Sequence, residues 1–297
     1  MSARLTRVFE QDPLAAPVAA DLRAFVALAV KVTSRPKEVT PEDVRAAFAA
    51  AHSPRQYFDA VGVMVAFNFI TRVANALGVE PEIPGWMRRV EPLRRLGLRA
   101  MGIFFRLFVD LGPKAAGGPQ PAEHLAGFRA LFADLRLGGL PAWVERLAFA
   151  PPLLAALREF LEALVRRGAG AGTVALDPDR FMAIGRVVLR SIPNAETLTT
   201  LADDWQPAAP AGVGAERTAL VTRFASDLAL HSYKLTQDRV DGLRAAGLDD
   251  AEILDVAVTA ALWCAAARLE VLTGCLPALD PNDQDAMRGA AHPAGQL

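Results

Sequence analysis

Two stretches of this sequence are apolar on every face of a helix, and they constrain the fold more than any other feature. They read AVGVMVAFNFI over residues 60–70 and VAVTAALWCAAA over residues 256–267. In a soluble protein a helix of this kind must be buried all round, because a surface helix shows only one apolar stripe. Every long apolar stretch is interrupted before the roughly 18 to 20 residues that cross a bilayer. We therefore expect two central core helices and no transmembrane segment.

The two stretches belong to an internal repeat that relates residues 39–79 to residues 235–275 at a constant shift of 196, without a gap. The matched residues are those that begin, end or anchor helices. They are Thr40 and Thr236, Val44 and Val240, Asp59 and Asp255, Arg72 and Arg268, and Gly78 and Gly274. We interpret the repeat as one helical-pair module that is present twice.

Each copy of the module predicts a short helix followed by a long one. Thr40 and Thr236 are expected to cap the short helix, which ends near residue 51 or 247. The long helix begins with a reciprocal capping arrangement, Ser53 with Gln56 in one copy and residues 249 and 252 in the other. It ends at a glycine, residue 78 or 274, which we expect to take the left-handed C-terminal conformation.

The periodicity of the whole chain is helical, and the β-branched alternation of a strand is nearly absent. Proline and glycine divide the sequence into helical lengths, and the clearest break is GPKAAGGPQP at residues 112–121. The sequence therefore predicts an all-α fold with two related halves, residues 1–115 and 122–297. Similar buried helices pack most simply about a pseudo-twofold axis, so we expect the halves to form a pseudo-dimer.

The charge balance limits the partners of the chain. Lysine and arginine together number 32 and the acidic residues 33, which gives a net charge of −1. This balance argues against nucleic acid as the main partner. The N-terminus has no apolar signal-peptide region, and the two cysteines, Cys264 and Cys275, are too far apart on one helix for a disulfide. We expect a cytoplasmic protein.

Two segments of the repeat resemble a known family. EVTPEDVR at residues 38–45 precedes AFNFITRVANALGVEPE at residues 66–82, and residues 234–274 show the same order, with Trp263 and Cys264 in place of Phe67 and Asn68. These patterns resemble the C-terminal signature of peroxidase-related proteins of the AhpD-like (alkylhydroperoxidase) and carboxymuconolactone decarboxylase superfamily. The resemblance covers about residues 25–82 and 149–275, and it implies an AhpD-like helical fold.

The same resemblance implies a catalytic element upstream of the signature, with a glutamate, a Cys-x-x-Cys pair and a histidine. Such a site uses a thiolate to attack the peroxide and a second thiol to resolve the sulfenic acid. The equivalent stretch, residues 177–206, contains no cysteine and no histidine, and Glu196, Thr199 and Asp203 fall near the Cys, Cys and His spacing. The first copy has only residues 1–21 upstream. The dithiol mechanism is therefore excluded at both copies.

Three classes of function remain open, of which the third is a purely structural subunit of an oligomer. The leading hypothesis is a degenerate member of the superfamily that binds a small-molecule ligand or a partner, with no cofactor and no metal, and that can form a homo-oligomer. The alternative is a thiol-independent acid-base enzyme of decarboxylase-related or peroxidase-related type. Its candidate proton carriers are Glu196, Asp203 and His231.

Charged residues within the apolar helices are the candidate ligand-binding groups. Arg72 and Arg268 need a carboxylate or carbonyl partner, and Asp59 and Asp255 are the candidates. One interpretation is a structural ion pair, and the other is a cleft that binds a small anionic ligand. A basic amphipathic stretch at residues 85–111 is interpreted as a solvated face packed on the core, with contact to a membrane surface or an acidic partner as the alternative.

Overall fold

The computed structural model describes residues 12–78, 121–134, 139–166, 178–192, 195–204 and 215–276. These residues form eleven α-helices and four short 3-10 helices, and they contain no β-strand. The predicted all-α fold class is therefore confirmed. The basic stretch at residues 85–111 lies outside the described residues.

The helices are numbered here in chain order. The first six are α1 (Ala20–Ser34), α2 (Pro41–Ala50), α3 (Pro54–Ala76), α4 (Pro121–Asp134), α5 (Ala142–Arg146) and α6 (Pro151–Arg166). The other five are α7 (Pro178–Ser191), α8 (Glu196–Asp204), α9 (Ala215–His231), α10 (Gln237–Ala245) and α11 (Asp250–Thr273).

The chain divides into two compact units. One unit comprises Met1–Pro17 and Val79–Gln120, of which the structure describes a single 3-10 turn at Pro13–Ala15. The other comprises Val18–Gly78 and Pro121–Leu297 and contains all eleven helices. The predicted division into halves at residues 1–115 and 122–297 stays a prediction.

The shift of 196 that relates the two sequence repeats also relates the bounds of helices that lie outside residues 39–79 and 235–275. Helices α1, α2 and α3 correspond to α9, α10 and α11 within one or two residues at each end. The 3-10 turns that join the first two helices of each series, Pro36–Glu38 and Ser232–Lys234, correspond without an offset. The residues before these turns also share a backbone conformation, with φ −141° at both Arg35 and His231.

The predicted caps are present in part. Thr40 and Asp43 form a reciprocal capping box at α2, and Asp249 and Glu252 form one at α11. Ser53 accepts a hydrogen bond from the backbone N–H of residue 56, but the Gln56 side chain accepts from the N–H of His52 rather than of Ser53, so only half of the reciprocal arrangement predicted for α3 is present. Thr236 makes no side-chain cap bond at α10, so the expectation for that residue was wrong.

The two glycines that follow the long helices behave differently. Gly78 has φ +62°, the left-handed conformation expected after α3. Gly274 has φ −62° and ψ −36°, and its N–H donates to the carbonyl of Glu270, so the helical path continues through it. The left-handed expectation for Gly274 was therefore wrong.

Helix α11 is the centre of the core. It packs against α3, α7 and α9, and sixteen of its residues are buried. The hydroxyl of Tyr57, near the start of α3, donates to the carbonyl oxygen of Leu272, near the end of α11, at 2.7 Å. The two long helices therefore run antiparallel where they cross.

Both long helices are long and apolar enough to cross a membrane by length and composition alone. In α11, 83% of the apolar window is buried inside the protein, which is typical of a core helix. In α3 the share is 33%, because Val63, Phe67 and Ile70 are all more than half exposed on one stripe. The expected burial of α3 on all sides was wrong, and the absence of a membrane span stays a prediction.

Candidate functional site

A cavity of about 50 Å³ lies among α4, α5, α6, α7, α8 and one face of α11. This volume is several times what one water molecule occupies by the same kind of measure. Five aromatic side chains form much of the wall, and leucine, valine and alanine from the same helices complete it. The aromatic residues are Phe128, Phe132, Trp143, Phe181 and Trp263. No charged side chain is among the lining residues.

The floor of the cavity is fixed by close packing between α7 and α11. The indole of Trp263 contacts the ring of Phe181, with centroids 4.9 Å apart, and its Nε1 donates to the carbonyl oxygen of Phe181 at 3.0 Å. Gly185 lies one turn further along α7, where a Cβ atom would come within 2.4 Å of the indole. The glycine is therefore required for the approach of these two helices.

A buried carboxylate holds another wall of the cavity in place. Glu270 of α11 is 5% exposed, and its two oxygens accept the backbone N–H groups of Thr197 and Leu198 at 2.6 and 2.9 Å. These are otherwise unpaired donors in the first turn of α8. Because Leu198 and Leu201 line the cavity, Glu270 positions that wall from the central helix.

The indole of Trp143 lines the cavity with its apolar surface only. Trp143 is 4% exposed, and its buried Nε1 has no acceptor among the described residues. No polar atom of the lining residues is exposed to the cavity, so this N–H does not face it. The surface of the cavity is therefore apolar throughout.

The stretch predicted to replace the redox element does border this cavity, but its acidic residues do not enter it. Glu196 is exposed at the start of α8, and Asp203 is exposed near its end, 3.2 Å from Arg190. His231 ends α9, and its exposed ring lies against Tyr233. No hydrogen bond or ion pair joins any two of the three candidates in the described part of the chain. Their role as proton carriers stays a prediction.

The two cysteines lie in surroundings that disfavour the thiolate. Cys264 is buried within α11, and burial raises the pKa of its thiol. Cys275 is half-buried just after that helix, and burial raises its pKa as well. A thiol with a raised pKa is a poor nucleophile at neutral pH. Neither cysteine therefore replaces the missing dithiol.

Arg72 of α3 and Arg268 of α11 meet where the two long helices cross. Both guanidinium groups lie near the Cys264 thiol. Arg72 Nη1 donates to Asn68 Oδ1 at 2.8 Å and to its backbone oxygen at 3.2 Å. Arg268 donates to the carbonyl oxygens of Cys264 at 3.0 Å and Val32 at 3.3 Å. The sequence predicted a carboxylate or a carbonyl partner for these arginines, and the partners in the structure are carbonyl oxygens.

The pair concentrates positive charge in the core. Arg72 is 6% exposed and Arg268 only 2%. Burial, and then the neighbouring charge of Arg72, lower the pKa of Arg268 to about 10, so both groups are charged at neutral pH. Arg72 Nε and Arg268 Nη2 have no acceptor among the described residues. Each buried donor left unpaired costs about 1–3 kcal/mol.

The two aspartates of the predicted ligand-binding set lie elsewhere. Asp59 is exposed on α3 and pairs with Arg55 at 3.7 Å, so its proposed ion pair with a buried arginine was wrong. Asp255 is half-buried near the start of α11, about 20 Å along the helix from Arg268 at 1.5 Å per residue. Of the four predicted residues, the structure brings together only the two arginines.

Sequence reasoning missed Trp143, Glu270 and the cavity itself. The lining residues come from five successive helices and from the distant α11, with one to three residues from each, so no local pattern marks them as one site. Within the described ranges, no three His, Cys, Asp or Glu side chains cluster in a way that would hold a metal ion.

No protein-family model, curated protein or solved structure matches the chain. The resemblance to the AhpD-like superfamily therefore stays a prediction.

Proposed function

We propose that this chain is a non-redox ligand-binding protein that takes up a small apolar molecule in the cavity beside α11. The observation that carries the proposal is the lining, which is apolar throughout and built around five aromatic rings. Concave apolar sites with few polar groups are typical of small-molecule binding. The absence of charged or nucleophilic side chains from the lining favours binding over catalysis.

The size and chemistry of the cavity indicate the class of ligand. A dry apolar cavity favours a hydrocarbon group over water, because water there would lack hydrogen-bond partners. No polar atom is exposed to the cavity, which favours a ligand without a polar group. Toluene and benzaldehyde are suitable probes, because they are close in shape and only benzaldehyde has an oxygen that needs a hydrogen-bond donor.

Calorimetric titration of the purified chain with toluene tests the proposal. We expect saturable binding at one site, with a negative heat-capacity change because apolar surface is buried. Leu201→Phe adds bulk to the cavity wall and should weaken binding by about 10-fold or more, which corresponds to about 1.4 kcal/mol. Leu254→Phe is the matched control, since Leu254 lies on α11 with 40% exposure and does not line the cavity.

The control variant should bind toluene like the wild type. Equal affinity in the wild type and Leu201→Phe, or no saturable binding in the wild type, contradicts the proposal. Benzaldehyde should bind more weakly than toluene to the wild type, because the cavity offers its oxygen no donor. Tighter binding of benzaldehyde would contradict the apolar character of the site.

We further propose that the scaffold is a pseudo-dimer of two AhpD-like modules. The bounds of α1–α3 and α9–α11, which agree within one residue at one shift, support this proposal, together with the antiparallel crossing of α3 and α11. An experimental structure tests it by superposition. The two series should superimpose after a rotation near 180°, and any other rotation rejects the pseudo-dimer.

A further inference from the structure

The arginine pair at the crossing of α3 and α11 is separate from the apolar cavity. Leu262, Trp263 and Ala266 face the cavity from α11. At 3.6 residues per turn, Arg268 projects from the opposite side of the same helix. Whatever the pair binds is therefore independent of the ligand proposed for the cavity.

The surroundings of the pair supply hydrogen bonds but no negative charge. All the acceptors of Arg72 and Arg268 in the described part of the chain are neutral oxygens, from one amide side chain and three backbone carbonyls. The nearest buried carboxylate along α11, Glu270, is held by two backbone N–H groups of α8. Two buried like charges without a counter-charge are rare in proteins.

Each arginine also keeps one buried N–H group without an acceptor, Arg72 Nε and Arg268 Nη2. Both side chains are more than nine-tenths buried, so bulk water does not satisfy these donors. The two guanidinium groups share Cys264 as a neighbour, and burial raises the pKa of that thiol, so the thiol is neutral. The crossing thus combines excess positive charge with unused donors.

We propose that a small monovalent anion binds between Arg72 and Arg268, where it accepts hydrogen bonds from both guanidinium groups. The anion is of halide or formate size, because only one unpartnered buried donor on each arginine is available to it. It neutralises part of the charge that burial leaves uncompensated. It stabilises the packing of α3 on α11, and so couples the stability of the core to the anion concentration.

Thermal unfolding at constant ionic strength tests the proposal. Sodium chloride or sodium formate replaces sodium gluconate stepwise at neutral pH, since gluconate is too large for a site enclosed in the core. The melting temperature should rise saturably, by roughly 3 to 10 °C at concentrations about 100-fold above Kd. Arg72→Gln should abolish the dependence. Arg223→Gln, which changes an exposed arginine of α9 in the same way, should keep it.

A crystal of the wild-type chain grown in sodium bromide gives a second readout that does not depend on a variant folding. We expect an anomalous bromide peak within hydrogen-bonding distance of both guanidinium groups. A melting temperature that responds equally to gluconate and chloride overturns the proposal, as does the same chloride response in Arg72→Gln. Absence of bromide from the crossing overturns it independently.

Discussion

At the scale of single residues, a few side chains fix the position of the central helix through contacts far apart in the sequence. Tyr57 joins the start of α3 to the end of α11, and Trp263 joins α11 to α7. The sequence placed Trp263 in an apolar run but gave no sign of its acceptor, Phe181, which lies 82 residues away. Long-range pairs of this kind leave no local pattern, so sequence reasoning did not find them.

Removal of the Tyr57 hydroxyl should lower stability. Tyr57→Phe leaves the buried carbonyl of Leu272 without this donor, and we expect the free energy of unfolding to fall by about 1–3 kcal/mol. Urea unfolding followed by circular dichroism measures the loss. An unchanged unfolding midpoint would show that the bond does not stabilise the crossing of α3 and α11. Tyr233→Phe, at an exposed tyrosine, is the matched control.

Tyr57 should also make stability fall at alkaline pH. Burial raises the pKa of Tyr57 in the folded protein above its ordinary value near 10. The unfolded chain therefore loses this proton first, and the contribution of Tyr57 to stability is complete below pH 10 and declines as the pH rises further. Urea unfolding of the wild type and of Tyr57→Phe between pH 8 and 11 measures this decline in stability. A constant difference between the two proteins over that range contradicts the account.

Gly185 should tolerate no side chain. A Cβ at this position meets the Trp263 indole at 2.4 Å, so Gly185→Ala forces α7 away from α11 and should destabilise the fold by about 1–3 kcal/mol. Gly242→Ala is the control, because a Cβ there has no neighbour within 4 Å. Because Gly242 lies within a helix, Gly242→Ala should raise the free energy of unfolding by about 0.5–1 kcal/mol. Chemical denaturation compares the two, and equal effects would refute the close-packing argument.

At the scale of elements, the sequence predicted the helices of the repeat well because their signals are local. The capping pairs at Thr40 and Asp249, and the apolar runs of α3 and α11, lie within the helices they define. Gly274 was mispredicted because the helix end there is decided by its bond to the Glu270 carbonyl and by packing rather than by residue type. The exposed stripe of α3 was missed because composition alone does not show which faces are covered.

Glu270 should control both the stability of α8 and the shape of the cavity. Glu270→Gln keeps the side-chain size but removes the charge that accepts two N–H groups, so we expect a loss of about 1–3 kcal/mol in unfolding free energy. The affinity for toluene should also fall, because Leu198 and Leu201 lie on α8 and line the cavity. Calorimetry and denaturation measure the two effects. Glu216→Gln, at an exposed residue of α9, should change neither, and wild-type behaviour of Glu270→Gln would contradict this role.

At the scale of the whole molecule, the two opposite sides of α11 have different environments. One side faces an aromatic cavity, and the other meets a pair of buried arginines. The sequence predicted the involvement of Arg72 and Arg268 from their places in apolar runs. It could not predict the cavity, because the cavity exists only once α4–α8 pack against α11.

The proposed ligand-binding function requires that the cavity is dry and receives apolar molecules. A crystal structure of the wild-type chain pressurised with xenon tests this claim directly, because xenon enters apolar cavities and avoids polar ones. We predict a xenon atom in van der Waals contact with Phe128 and Trp263, and a weaker peak or none in Leu201→Phe. A cavity that holds ordered water and no xenon would contradict the account.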